Sequence, residues 1–319
     1  MAVPIILLIF VFIFLLLFGA NLVVVGLRRL TKASQSGLFA FSAIALGLAT
    51  SLPELSVAIT SGINQNSSLS LGNVLGANIA ILTLVAGGAA LIAGKVVVSG
   101  GILRREVLIA LLGGILPLLF LFDSTLSRID GLILIVIWGA YVAHFFKLRF
   151  VQIAKAFSRE GFWYRFLQRV NGTTGGETIR LLVGVALLLF SAGIIVRLSK
   201  ILAQDVGMPL FLVGALILAV GTTLPELAFS FRSLLSGEPT MFFGNILGSI
   251  IVNSTLVIGV AALLSPITVS FSSILPIGVA FLLVYLLFWF FIRTKHRLER
   301  REGAILLVLY ILFVVIIAS

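Results

Sequence analysis

Two glutamates sit where a carboxylate is expensive. Glu54 lies in ATSLPEL (residues 49–55) and Glu226 in GTTLPEL (residues 221–227), each inside an apolar run long enough for a membrane helix. A carboxylate at the centre of such a helix costs about 2.5–3.5 kcal/mol on insertion scales unless it faces a cavity and a partner. Each follows a proline, Pro53 or Pro225, that lacks an N–H and crowds the carbonyl four residues earlier. The expected kink frees carbonyl oxygens near residues 47–49 and 219–221. On a helix Thr50, Ser51 and Glu54 share a face through spacings of four and three, as do Thr222, Thr223 and Glu226. Back-bonding to the preceding turn is the competing structural role for these hydroxyls. Each motif therefore offers one carboxylate, two hydroxyls and loosened carbonyls, with no sulfur or imidazole. That is hard-cation chemistry, and the irregular shell of Ca²⁺ suits a kinked backbone better than the strict octahedron of Mg²⁺.

The elements that must carry these residues are membrane helices. The 319 residues are 61% hydrophobic and only 10% charged, with a mean hydropathy of +1.26, whereas soluble domains carry roughly 25% charge. Long Leu/Ile/Val/Phe runs without strict alternation favour helices over a barrel. The expected spans are 3–27, 37–61, 69–94, 106–122, 130–147, 179–201, 209–235, 241–264, 272–292 and 303–318. The apolar N-terminus reads as the first span, not a signal peptide. Asp123, Asp130, Asp205, Glu106 and Glu238 fall near span ends or loops, where solvation or surface pairing explains them. The net charge of +11 lies between the apolar runs, as loop charge does, and no basic–aromatic interleaving suggests nucleic acid. Cysteine is absent, which excludes disulfides and thiolate sites. His144 and His296 are too far apart for a metal cluster. No nucleophile–base pair, Walker loop or redox motif points to an enzyme.

The chain is internally repeated. SLPEL (51–55) aligns with TLPEL (223–227), and GNVLG (72–76) with GNILG (244–248), both at an offset of 172 residues. The glycines four apart suit close helix packing, while Asn73 and Asn245 could cross-link helices or line the site. The expected organisation is a five-helix repeat (1–147), a basic linker (148–178) and a second five-helix repeat (179–319). With an odd number of spans each, the two repeats enter the membrane from opposite sides. Most basic residues then fall on one face, so both termini are expected outside and the linker inside the cell. Phe162, Trp163, Tyr164 and Phe166 suit that linker to lie as an amphipathic segment on the membrane surface, with a regulatory contact as the alternative.

These residues resemble the cation/calcium exchanger superfamily, whose sodium/calcium exchangers carry two inverted alpha repeats. ATSLPEL with GNVLGAN matches the first repeat and GTTLPEL with GNILGSIIVN the second. The resemblance implies an all-α antiporter of ten transmembrane helices, in which Glu54 and Glu226 bind the transported cation. It also implies ligands at Thr50, Ser51, Thr222 and Thr223, backbone oxygens at Gly47 and Ala219, and a gating bundle formed by the first and sixth spans. The family pattern continues with a serine and, four residues on, an amide or acid. In the second repeat these are Ser249 and Asn253; in the first they are Ala77 and Ile81, which offer no side-chain ligand. The stretch GANIAILTLVAGG (76–88) instead resembles the first repeat of mitochondrial-type exchangers, with Asn78 and Thr83 as partial substitutes.

Two carboxylates supply a charge of −2, matched by one Ca²⁺, two Na⁺ or two H⁺, whereas three Na⁺ would leave excess charge in a low-dielectric site. The expectation is an electroneutral Ca²⁺ antiporter of the cell membrane, functional as a monomer without a cofactor. Na⁺ and H⁺ both remain open as the counter-ion. A passive cation channel and a transport-inactive sensor or scaffold of the same fold are the alternatives.

Overall fold

The computed structural model describes residues 2–31, 48, 50–97, 101–157, 175–235, 237, 239–295 and 297–318, and the architecture is helical. In chain order the helices are α1 (Ala2–Thr31), α2 (Leu52–Ile63), α3 (Ser67–Ala80), α4 (Ala86–Ala93), α5 (Gly101–Phe120), α6 (Arg128–Phe157), α7 (Gly175–Val206), α8 (Leu210–Val213), α9 (Ala219–Thr222), α10 (Leu224–Leu235), α11 (Pro239–Ile251), α12 (Ile258–Leu264), α13 (Phe271–Lys295) and α14 (Arg300–Ala318). Three π-helical turns, Ile81–Val85, Gly214–Leu218 and Val252–Val257, join α3 to α4, α8 to α9 and α11 to α12. Among the described residues six helical runs are long and apolar enough to cross a membrane: Val3–Leu22, Ser67–Ala93, Leu182–Val206, Leu210–Leu235, Met241–Leu264 and Phe271–Thr294. This is a multi-pass membrane protein.

Several helices outrun the apolar stretches that announced them. α6 continues to Phe157, and α7 begins at Gly175 and ends at Val206. Helical hydrogen bonding does not stop where apolarity stops, provided the ends are satisfied. At the start of α6, Asp130 accepts from the Ser127 N–H (2.8 Å) and hydroxyl (2.6 Å), while Ser127 Oγ accepts from the Asp130 N–H (3.3 Å). Glu302 accepts from the Glu299 N–H at the start of α14, and Asp123 from the Thr125 N–H. Each of these carboxylates completes a helix end or turn. Of the expected second span, residues 37–47 and 49 lie outside the described set, as do linker residues 158–174.

The packing repeats with the period of the sequence. Gly87 of α4 meets Gly303 of α14 so closely that a Cβ on either would sit 2.6–2.8 Å from the other's carbonyl oxygen. Gly131 of α6 and Gly259 of α12 make the same contact at 2.7–2.8 Å, and the two pairs correspond at the 172-residue offset with partners exchanged. Four short strands behave alike: β1 (Lys95–Val97) pairs antiparallel with β4 (Arg297–Glu299), and β2 (Thr125–Leu126) with β3 (Ile267–Thr268). The offset relates β1 to β3 and β2 to β4 within one residue, so each pair maps onto the other.

Two apolar clusters form the interior. Ile9, Ile13, Leu16 and Ala20 of α1 pack with Leu188, Ala192, Ile195 and Val196 of α7. The larger cluster gathers α3 to α6 and α11 to α14. Phe14 and Phe18 of α1 and Leu182 and Phe190 of α7 are exposed, as lipid-facing side chains are.

Candidate cation-binding chamber

The sequence predicted kinks; the structure has breaks. Ser51 (φ −84°, ψ 8°) and Thr223 (φ −80°, ψ −2°) occupy the same sparsely populated backbone region, and a new helix starts at the next residue in each case. Pro53 and Pro225 therefore stand in the first turn of α2 and α10, where an N–H would have no intrahelical acceptor. Two of the carbonyls expected to be loosened, Ala219 O and Val220 O, are bonded. Ala219 O accepts from the Thr223 N–H (3.2 Å) and hydroxyl (2.9 Å), and that hydroxyl also reaches Val220 O (3.0 Å). Thr223 thus takes the back-bonding geometry, and Ala219 becomes a ligand only by surrendering one of its bonds. Gly47 lies outside the described residues.

The breaks place both glutamates in the first turn of a helix, where the macrodipole favours negative charge. Glu54 and Glu226 are fully buried, near enough for each to feel the other's charge. Among the described residues, none of their four carboxylate oxygens has a hydrogen-bond partner, nor does Ser51 Oγ. Buried carboxylates are otherwise paired or hydrogen-bonded.

Around them the halves interlock. The Thr50 hydroxyl donates to Asn245 Oδ1 (3.3 Å), and the Thr222 hydroxyl to Asn73 Oδ1 (3.1 Å); the offset converts one bond into the other. Thr222 lies alongside Glu54, and Thr50 and Ser249 alongside Glu226, with Thr50 Oγ1 3.4 Å from Ser249 Oγ. Each of these threonine hydroxyls therefore stands between an asparagine and a glutamate of the other half. Gly72 and Gly76 of α3 allow this approach, since a Cβ on either would strike the backbone of Phe211 or Ala215.

The second tier is as lopsided as its sequence. Ala77 and Ile81 are buried and apolar, and the Thr83 hydroxyl turns back to Ile79 O at 2.6 Å. Asn78 does cross the interface: it accepts from Asn253 Nδ2 (3.3 Å) and donates to Ser254 Oγ (2.7 Å). Ser254, like Ser230, which accepts from Asn245 Nδ2 at 3.4 Å, carried no expectation from the sequence. Ser230 stands one turn beyond Glu226, a spacing that could have found it. Among the described residues no three His, Cys, Asp or Glu side chains converge, so the donor set is two carboxylates with hydroxyls and amides.

By class this is a multi-pass helical membrane protein whose two motif helices bring buried carboxylates together with hydroxyl and amide oxygens. The chain belongs to the sodium/calcium exchanger protein family, whose model matches residues 4–147 and 177–318. It is 26% identical to sodium/calcium exchanger MaX1 of Methanosarcina acetivorans over 94% of each chain. It is 30% identical to inner membrane protein YrbG of Escherichia coli over 79% of each. Its fold matches the sodium-calcium exchanger NCX_Mj soaked with Na⁺ and Sr²⁺ at a TM-score of 0.65 and 22% identity, covering 100% of this chain and 99% of that one.

Proposed function

We propose that the chain is a secondary active antiporter that moves Ca²⁺ across the membrane in electroneutral exchange for Na⁺ or H⁺. The observation that carries this reading is the pair of buried, unpartnered carboxylates contributed by the two motif helices. A cation of charge +2, or two of charge +1, neutralises them. Glu54, Glu226, Thr50, Ser51, Thr222 and Ser249 form the inner shell, with Asn253 one turn beyond Ser249. Thr223, Gly47 and Ala219 serve as backbone-linked contributors. The names of the antiporter relatives agree with this chemistry.

The wider architecture follows from the same regularities. Two inverted five-helix repeats (1–147 and 179–319), joined by the linker 148–178, account for the exchanged glycine pairs, the exchanged strand pairs and the reciprocal threonine–asparagine bonds. A functional monomer is part of this proposal, since the two motif segments that supply the site lie within one sequence. Both termini are placed outside the cell and the linker in the cytoplasm by the distribution of arginine and lysine. The pairing of α1 with α7, in a cluster that also takes in Val57, Leu69, Val213 and Leu218, suits a two-helix bundle that slides against the remainder to alternate access.

Dye-reported Ca²⁺ uptake into proteoliposomes, with opposed Na⁺ or pH gradients, tests the proposal. Uptake should saturate and follow one gradient without net current. A robust current refutes electroneutrality, single-channel openings favour a pore, and failure to bind Ca²⁺ favours a transport-inactive sensor or scaffold.

A further inference from the structure

We infer that Asn78 is a positioning residue that fixes which atom Asn253 presents to the chamber. The inference rests on the cation-binding reading above. An asparagine side chain offers a cation its oxygen or, after a half-turn, an NH₂ group that repels it. In this chain the choice is determined by two hydrogen bonds in series. Asn78 Nδ2 donates to Ser254 Oγ at 2.7 Å, which orients the Asn78 amide and turns its Oδ1 toward α11 and the π turn that follows it. Asn253 Nδ2 then donates to that Oδ1 at 3.3 Å. The NH₂ of Asn253 is thereby committed, and its Oδ1 is left buried without a hydrogen-bond partner among the described residues. All three side chains are fully buried, so solvent does not compete for these bonds. Asn253 stands four residues after Ser249, which touches Thr50 and lies alongside Glu226, and the proposal assigns its free oxygen to that site.

The arrangement also accounts for the apolar residue at position 81. Asn78 precedes Ile81 by three residues, one turn along the same helix face. From that turn it reaches Asn253 across the interface and serves the site through that residue. Asn78 itself has both polar atoms engaged, its NH₂ on Ser254 and its oxygen on Asn253.

A double-mutant cycle on the full-length protein in proteoliposomes tests this, read as the half-saturating Ca²⁺ concentration and the maximal rate separately, with equilibrium Ca²⁺ binding in detergent alongside. Asn78→Leu and Asn253→Leu should each raise half-saturation about tenfold, the scale of one misdirected polar ligand, with maximal rate changed less than about threefold. The double variant should be no worse than either single one, because both remove the same oxygen. Ser254→Ala, a milder change that keeps the helix packed, should raise half-saturation about threefold by releasing the Asn78 amide. Losses that multiply in the double variant, or an Asn78→Leu effect confined to maximal rate or folded yield, overturn the inference while leaving the exchanger reading intact. A wild-type protein that neither binds nor moves Ca²⁺ overturns both.

Discussion

Removing one charge from the chamber should nearly abolish cation binding, and the structure sets the scale. Glu54 is fully buried, and among the described residues neither of its oxygens has a geometrically formed hydrogen bond, with the Thr222 hydroxyl alongside it. Glu54→Gln keeps volume and one oxygen but halves the negative charge facing a divalent ion. Breaking a buried ion pair by deleting one partner costs about 3–5 kcal/mol, which corresponds to a fall in affinity of roughly two to three and a half orders of magnitude. Glu226→Gln should behave comparably, because the two carboxylates occupy equivalent places in their helices. The assay is equilibrium Ca²⁺ binding to purified protein, followed by uptake in proteoliposomes. Thermal unfolding provides a second readout: saturating Ca²⁺ should raise the midpoint of the wild type and leave both variants unmoved, because only a ligand that binds the folded state stabilises it. If either variant keeps half-saturation within tenfold of wild type, that carboxylate does not hold the ion and the chamber has been misread.

Three other perturbations separate packing from binding. Gly221→Ala puts a methyl against Ile13 of α1; if α1 slides past the site, turnover should fall several-fold while equilibrium Ca²⁺ binding changes little. Asn73→Ala and Asn245→Ala each remove the acceptor of a buried threonine bond, which should lower stability by about 1 kcal/mol, and thermal melts should show the larger loss for Asn245→Ala, because Asn245 also donates to Ser230 while the Asn73 NH₂ has no hydrogen-bond partner among the described residues. Gln65 has a left-handed backbone (φ 57°) where the corresponding residue of the other half is Gly237 (φ 73°). Gln65→Gly should therefore raise the melting point by the equivalent of up to about 1 kcal/mol, net of the added freedom of the unfolded chain, with half-saturation unchanged.

What the sequence could and could not reveal follows from the range of each interaction. Glu54 and Glu226 stood out because their cost in hydrocarbon is large and local, and the 172-residue offset was visible because the repeated segments hold it without a gap. Thr50 and Thr222 were singled out by helical spacing and Ser249 by the family resemblance, and in the fold the Thr50 hydroxyl lies 3.4 Å from that of Ser249. The proline effect was misjudged because a kink and a helix start have the same sequence signature. The deciding fact is the backbone of Ser51 and Thr223, whose ψ lies near 0°. Ser254 escaped because the π turn Val252–Val257 adds a residue to the local period and brings two neighbouring side chains to one interface.

The asymmetry of the second tier changes meaning once positions are compared in space. By offset alone, Ile81 faces Asn253 and the first half has lost an amide. In the fold an amide one turn earlier, at Asn78, reaches the same partner, while the offset mate of Asn78 is the apolar Ile250. The two halves therefore contribute one amide each to this contact from different turns of corresponding helices. On the proposal above, the oxygen of Asn253 is the atom offered to the site because Asn78, bonded on both sides, takes its NH₂ group.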